Sequence, residues 1–162
     1  MVLNELHTSP ALHAYDTDGL LVMVSLQSPD NAVYRKIVEL QETAIGRHGR
    51  VTVVAVIPRF DGPLRADRQT QEEAGARMRE LASHILGNVT AVTVPGLKGT
   101  FLRMILTTVD LLNGTNSHIV ASIPEAVRWL QHLPEQRPHL RDADGLARTI
   151  EVLVAKVQGV TH

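Results

Sequence analysis

Arg50-Val-Thr-Val-Val-Ala-Val-Ile57, closed by Pro58, decides the fold of this 162-residue chain. A strand with one wet face alternates apolar and polar residues. A strand covered on both faces reads as a nearly continuous run of β-branched residues, as here. Pro58 has no N–H to give to a ladder and ends the run. The segment therefore predicts a central strand of a sheet with helices packed on it, and the flanking sequence supplies those helices.

Upstream, Ser28-Pro29-Asp30 starts a helix: a capping hydroxyl, a proline for the first turn and a carboxylate near the positive end of the dipole. Val33, Ile37, Leu40 and Ala44 recur at helical spacing as one buried stripe, and Gly46 and Gly49 stop it. Downstream, Phe60–Ala66 is a loop and Asp67–Leu86 a long helix with Ala74, Met78, Leu81 and Ile85 on one side, ended by Gly87-Asn88. Val89–Val94 is the next strand, ended by Pro95-Gly96. Thr100–Leu112 is a helix with Leu102, Ile105, Leu106 and Val109 inward, ended by Asn113-Gly114. His118–Ala121 is a short strand, and Ser122 with Glu125 forms a capping box for a fourth helix. In that helix Val127 and Leu130 enter the core, and Trp129 reads either as an interface anchor or as a ring covering the sheet edge.

At the other end, Ala11–Tyr15 and Leu20–Leu26 are two strands around Asp16-Thr-Asp-Gly19, whose Asp-Gly end favours a tight hairpin. Residues 1–10 read as a loose leader, 134–143 as a linker, and 144–158 as a C-terminal helix carrying Leu146, Ile150, Leu153 and Val157 in register. Two placements of that helix stay open, on its own domain or exchanged into a second copy in a homodimer. Parallel strands need helical crossovers. The expectation is an α/β domain over 11–133: a mixed four- to five-stranded sheet with an N-terminal hairpin, its first strand an antiparallel edge, and helices packed on it.

Composition narrows function by exclusion. Apolar residues are 44% and charged residues 20%, as in ordinary globular proteins, and 16 basic against 17 acidic side chains leave a formal charge of -1. No whole-chain field steers the protein to nucleic acid or membrane. Aromatics are 3%, too few for a base-stacking platform. There is no cysteine, which removes disulfides, thiolate metal sites and a thiol nucleophile. The N-terminus has neither the basic region nor the apolar core of a signal peptide, and no run reaches membrane-spanning length, so a cytoplasmic protein without membrane insertion is expected. The eight histidines are scattered without ligand-like spacing, and no nucleophile elbow is present. No metal, cofactor or catalytic residue is expected.

Two groups of residues carry the remaining chemistry. Pro95-Gly-Leu-Lys-Gly-Thr100 lies between a strand and a helix, and Gly96, Lys98, Gly99, Thr100 and Arg103 there suit an anion or a nucleotide phosphate at a helix N-terminus. The other reading is a tight turn that the two glycines permit. Arg59, Asp61, Arg65, Asp67, Arg68 and Thr70 follow the central strand, at the sheet edge where open α/β folds bind ligands. They read either as a contact surface for a protein partner or as a solvated, mutually screened charge cluster.

The element order, the opening hairpin, the strand Val51–Ile57 and the ending His118-Ile-Val-Ala-Ser-Ile-Pro-Glu-Ala-Val-Arg-Trp-Leu130 together resemble the STAS group of sulphate-transporter and anti-sigma-factor-antagonist domains. The likeness is nearest to a branch of small bacterial proteins related to CRAL-TRIO-like folds. There the last strand runs into a helix of the form Glu-Ala-x-x-Trp-Leu, matched by Glu125 to Leu130. The resemblance implies a cytoplasmic, non-enzymatic regulatory or protein-interaction module. In antagonist members a serine within Asp-Ser-Ser-Gly is phosphorylated. Here Asp67 stands for the aspartate, but Arg68 and Gln69 occupy the serine positions, so the usual acceptor is missing unless Thr70 replaces it. The alternative function is a small-ligand binder, holding an apolar, lipid-like molecule between helices and sheet or an anion at Gly96–Thr100.

Overall fold

The computed structural model describes residues 2–113, 117–133 and 141–159, with backbone alone over 108–113. Six strands form one sheet in sequential order: β1 (Asn4–Thr8), β2 (Leu12–Thr17), β3 (Leu20–Ser25), β4 (Val51–Ile57), β5 (Ile85–Val92) and β6 (His118–Val120). The first three are antiparallel and β3 to β6 are parallel. Among the described residues five helices cover them: α1 (Asn31–His48), α2 (Arg68–Leu81), α3 (Gly96–Asn113), α4 (Ile123–Gln131) and α5 (Ala143–Val157). The mixed α/β architecture matches the sequence expectation, with one strand more than the four to five anticipated.

The extra strand lies in the segment read as a loose leader. Residues 4–8 pair with β2 across a bulge between Glu5 and His7. The hairpin expected at Asp-Gly is present: Asp18 and Gly19 both take positive φ, 45° and 90°, joining Thr17 to its partner Leu20. Positive φ at both central residues gives the turn a twist that matches the strands, and Gly19 adopts it without a Cβ penalty.

Strand order explains the layers. Each crossover from β3 to β6 steps one strand in the same direction, so right-handed connections put α1, α2 and α3 on one face. On that face Val33, Leu40 and Ala44 of α1 pack on Leu12, Leu21, Met23, Val51 and Val53. Leu102 of α3 packs on Val92 and Val94 in a separate cluster. On the opposite face α4 and α5 lay Ile123, Val127, Leu130, Leu146 and Ile150 on Val22, Val24, Val54, Val56 and Val89. The C-terminal helix thus covers its own sheet, the first of the two placements left open. Trp129 stacks on His118 at the β6 edge, ring centroids 4.9 Å apart. Buried Asp16 on β2 ties down the end of α1 through His48 Nε2 at 3.0 Å and Arg47 at 3.7 Å.

Several boundaries move for identifiable reasons. Asp30, not Ser28, caps α1, accepting from Val33 N–H, while the Ser28 hydroxyl donates to Gly62 C=O at 2.6 Å. α2 stops at Leu81, a single 3-10 turn follows, and the strand begins at Ile85. Gly87-Asn88 is therefore inside β5 and not a helix stop. Gly87 is small because the end of α4 and the residues just after it press on it: a Cβ there would lie 2.2 Å from Leu133 Cδ1 and 3.4 Å from the Trp129 ring. α3 starts at Gly96, four residues earlier than expected, and Ile105 faces largely outward while Leu102 is buried. The Val109 side chain, the stop at Gly114 and most of the 134–143 linker fall outside the described residues. Ser122 caps α4 as expected, accepting from Glu125 N–H at 3.2 Å, and Glu125 reaches back to Ala121 N–H at 3.4 Å.

Candidate functional site

On the α1–α3 face the core is split, and the space between its two clusters is a cavity of about 220 Å³. The cause lies in α2, the helix that spans the gap. Its buried residues are Thr70, Ala74, Gly75 and Leu81, mostly too small to reach the sheet. Beneath it, β4 presents Ala55, flanked by Met23 of β3 and Thr90 of β5. Small residues above and below leave a gap that close-packed interiors rarely keep. Tyr34, Ile37 and Gln41 of α1 close one side, and Leu102 and Leu106 of α3 the other.

The walls are mainly apolar, but β5 breaks the pattern. Val89 and Ala91 face the α4–α5 core, so Asn88 and Thr90 face the cavity from a helix-covered surface. The Thr90 hydroxyl lies 3.2 Å from that of Ser117. Gln41 is 3% exposed; its Nε2 contacts Met78 Sδ at 3.9 Å, and its Oε1 has no hydrogen-bond partner among the described residues. Among the described residues the lining holds no carboxylate, histidine or cysteine, and Arg59 at the mouth is the one charged residue.

The mouth opens at the carboxyl ends of β3 and β4, beside Ser25, Ser28, Ile57, Arg59 and Phe60. Most of the predicted contact residues are here, and the structure uses them as stitching. Asp61 accepts from Ser28 N–H at 2.7 Å and pairs with Arg65 at 3.0 Å. Arg65 and Ala66 N–H both donate to Pro29 C=O. Asp67 caps α2 by accepting from Thr70 N–H at 2.7 Å, and it exchanges two 2.8 Å hydrogen bonds with Asn31. Arg59 Nε donates to Leu26 C=O at 3.0 Å. The Ser28 N–H beside Asp61 and the Thr70 N–H beside Asp67, the latter helped by the Asn31 amide, hold both carboxyls below the usual carboxylate value. Arg68 points away, 92% exposed and paired with Glu72. Thr70 is 4% exposed, so its hydroxyl is closed to a protein kinase in this fold.

The Gly96–Thr100 turn adjoins the same rim. Lys98 Nζ donates to Phe60 C=O at 2.7 Å and sits 5.9 Å from the Phe60 ring centroid. Arg103 donates to Val92 C=O at 3.0 Å and to the Thr100 hydroxyl at 3.2 Å. Gly96 takes φ +73°, and a Cβ on Gly99 would lie 1.8 Å from the Val94 carbonyl oxygen. The glycines therefore let α3 approach the end of β5, as the tight-turn reading requires, and both cations bond to protein carbonyls.

Sequence reading gave no site role to Gln41, Ala55, Gly75, Asn88 or Thr90, and took Asn88 as part of a helix stop. A signal existed for three of them: Gln41 falls one turn after Ile37 on the apolar stripe of α1, and Asn88 and Thr90 alternate with Val89 and Ala91. Among the described residues no cluster of His, Cys, Asp or Glu suits a metal ion, and no helix is long and apolar enough to cross a membrane. No protein-family model, curated protein or solved structure matches this chain.

Proposed function

We propose that the protein is a small-ligand-binding module whose cavity beneath α2 holds a compact, largely apolar molecule. The cavity itself carries this reading. It exceeds the ~150 Å³ engineered cavity known to take benzene and lies below the ~300–1,000 Å³ of typical ligand pockets. A one- or two-ring molecule fits that size. Among the described residues the lining holds no carboxylate, histidine, lysine or cysteine, and Tyr34 is its one side chain of a type that serves as a general acid or base, which supports binding without turnover. The same reading keeps the chain a STAS-like regulatory module in which occupancy, in place of serine phosphorylation, supplies the signal. Arg68 and Gln69 at the serine positions and the burial of Thr70 support that substitution.

Native mass spectrometry of the purified protein tests the proposal, with a stoichiometric small molecule as the expected result. Ala55→Leu fills the floor and abolishes that adduct. It also stabilises the fold by about 0.5–2 kcal/mol as cavity-filling changes do, roughly 1–8 °C in Tm by calorimetry. An adduct retained in Ala55→Leu refutes the assignment to this cavity.

A second reading, a protein partner, draws on α3. Leu97, Phe101, Met104 and Ile105 are exposed on this helix, while Leu102 and Leu106 line the cavity. Grouped exposed apolar side chains mark interaction surfaces. A photo-crosslinker at position 101 captures one specific protein on this reading, and Phe101→Glu abolishes its binding while Ala55→Leu folds and still binds it. Equal binding by Phe101→Glu discards the α3 surface.

A further inference from the structure

The ligand proposed above leaves its polarity open, and the mouth of the cavity supplies it. Arg59 follows β4 at the edge where the cavity opens, and its side chain is exposed. Its Nε donates to Leu26 C=O, which ties the guanidinium to the end of β3. Its two terminal nitrogens make no hydrogen bond or ion pair among the described residues. The arginines beside it are committed: Arg65 to Asp61, and Arg103 to Val92 C=O and the Thr100 hydroxyl. Charge at this edge points the same way. Lys98 and Arg103 bond to carbonyls, so no carboxylate among the described residues neutralises them. Asp61, the carboxylate next to the mouth, is already matched by Arg65 and the Ser28 N–H.

Resting on the ligand-binding reading, we infer that the occupant is a small amphipathic carboxylate: its ring or chain lies among Ile37, Ala55, Leu102 and Leu106, and its anion takes the free end of the Arg59 guanidinium at the mouth. The chemistry selects this class. The two Nη groups offer parallel N–H donors at the spacing of two carboxylate oxygens. Deeper in, the described lining is neutral, so a charge there is desolvated without a partner. The anion therefore stays at the mouth, where water still reaches it. An ammonium finds no carboxylate anywhere in the described lining.

Acid–amide pairs test this, because each pair keeps one shape and differs by one charge. Benzoate, 3-phenylpropanoate and 2-naphthoate are titrated into the intact protein beside their primary amides and followed by ligand-observed NMR. At least one acid is expected to bind roughly fivefold or more tighter than its amide, a gain set by a charged hydrogen bond at an exposed site. In Arg59→Gln the preference disappears and amide binding remains, the check that the cavity is intact. In the wild type, about 1 M salt, which cuts the screening length to about 3 Å, shrinks the same preference whether or not that variant folds. Ala55→Leu, which fills the floor, abolishes acid binding. Equal affinities within every pair, or a preference unmoved by salt or by Arg59→Gln, overturn the carboxylate assignment and leave the cavity reading standing. Acid binding unaltered in Ala55→Leu also overturns it, by placing the acid outside the cavity. Binding of no acid and no amide overturns both readings.

Discussion

Ile150→Ala is expected to lower stability by about 2–5 kcal/mol, the range for truncating a buried isoleucine, which corresponds to roughly 4–20 °C in Tm for a chain of this size. Ile150 is 0% exposed at the centre of the α5 stripe, with Leu146 one turn before it and Leu153 and Val154 one turn after. Those residues close the second face of β3 and β4 over Val22, Val24, Val54 and Val56. Removing three carbons there leaves a hole under a helix anchored from both sides, so the surroundings collapse little. Val152, 69% exposed on the same helix, is the control: Val152→Ala moves Tm by less than about 2 °C. Equal effects of the two substitutions in calorimetry refute the packing of α5 on its own sheet. Because α5 lies across the sheet from the cavity, folded Ile150→Ala still carries the small-molecule adduct in native mass spectrometry.

Gly99→Ala is expected to destabilise even though helix propensity favours it. An exposed glycine in a helix interior gains roughly 0.8–1.0 kcal/mol on becoming alanine. At position 99 the new methyl lies 1.8 Å from the Val94 carbonyl oxygen, which is backbone and does not rotate aside. α3 must move off the end of β5, loosening the Arg103 bond to Val92 and displacing Leu102 and Leu106 from the cavity wall. Overpacking of this kind costs about 1–3 kcal/mol. Gly46 provides the opposite sign within one experiment: a Cβ there meets nothing within 4 Å, so Gly46→Ala raises Tm. A Gly99→Ala protein as stable as the wild type rejects the close approach. Loss of the small-molecule adduct from the folded variant shows that α3 position and cavity shape are linked.

The sheet strands from 11 onward and all five helices were legible because their signals are local. Continuous Val/Ile at 51–57, the Asp-Gly hairpin at 18–19, and the Ser122–Glu125 cap each express short-range sterics or hydrogen bonding. β1 was not, because Asn4-Glu-Leu-His-Thr8 has weak periodicity and becomes a strand only by hydrogen-bonding to β2. The cavity was not, because it arises from residues far apart in the chain. Ala55 and Gly75 are each unremarkable in their own segments, and only their opposition across the α2–sheet gap creates space. The charged residues near Arg59 were located correctly at the sheet edge. Their hydrogen bonds to Ser28, Pro29 and Asn31, some thirty residues away, were beyond any local pattern.

By itself, the amino-acid sequence determined an α/β chain with a hairpin, parallel strands joined by amphipathic helices, and a C-terminal helix needing apolar cover, because these follow from periodicity and capping between near neighbours. Tertiary structure alone decided that α5 closes the sheet of its own chain, that charged rim residues serve as stitching, and that a split core leaves Gln41 Oε1 buried beside a cavity. Those outcomes depend on which distant surfaces meet and how their volumes match, a property of packing that no single segment encodes.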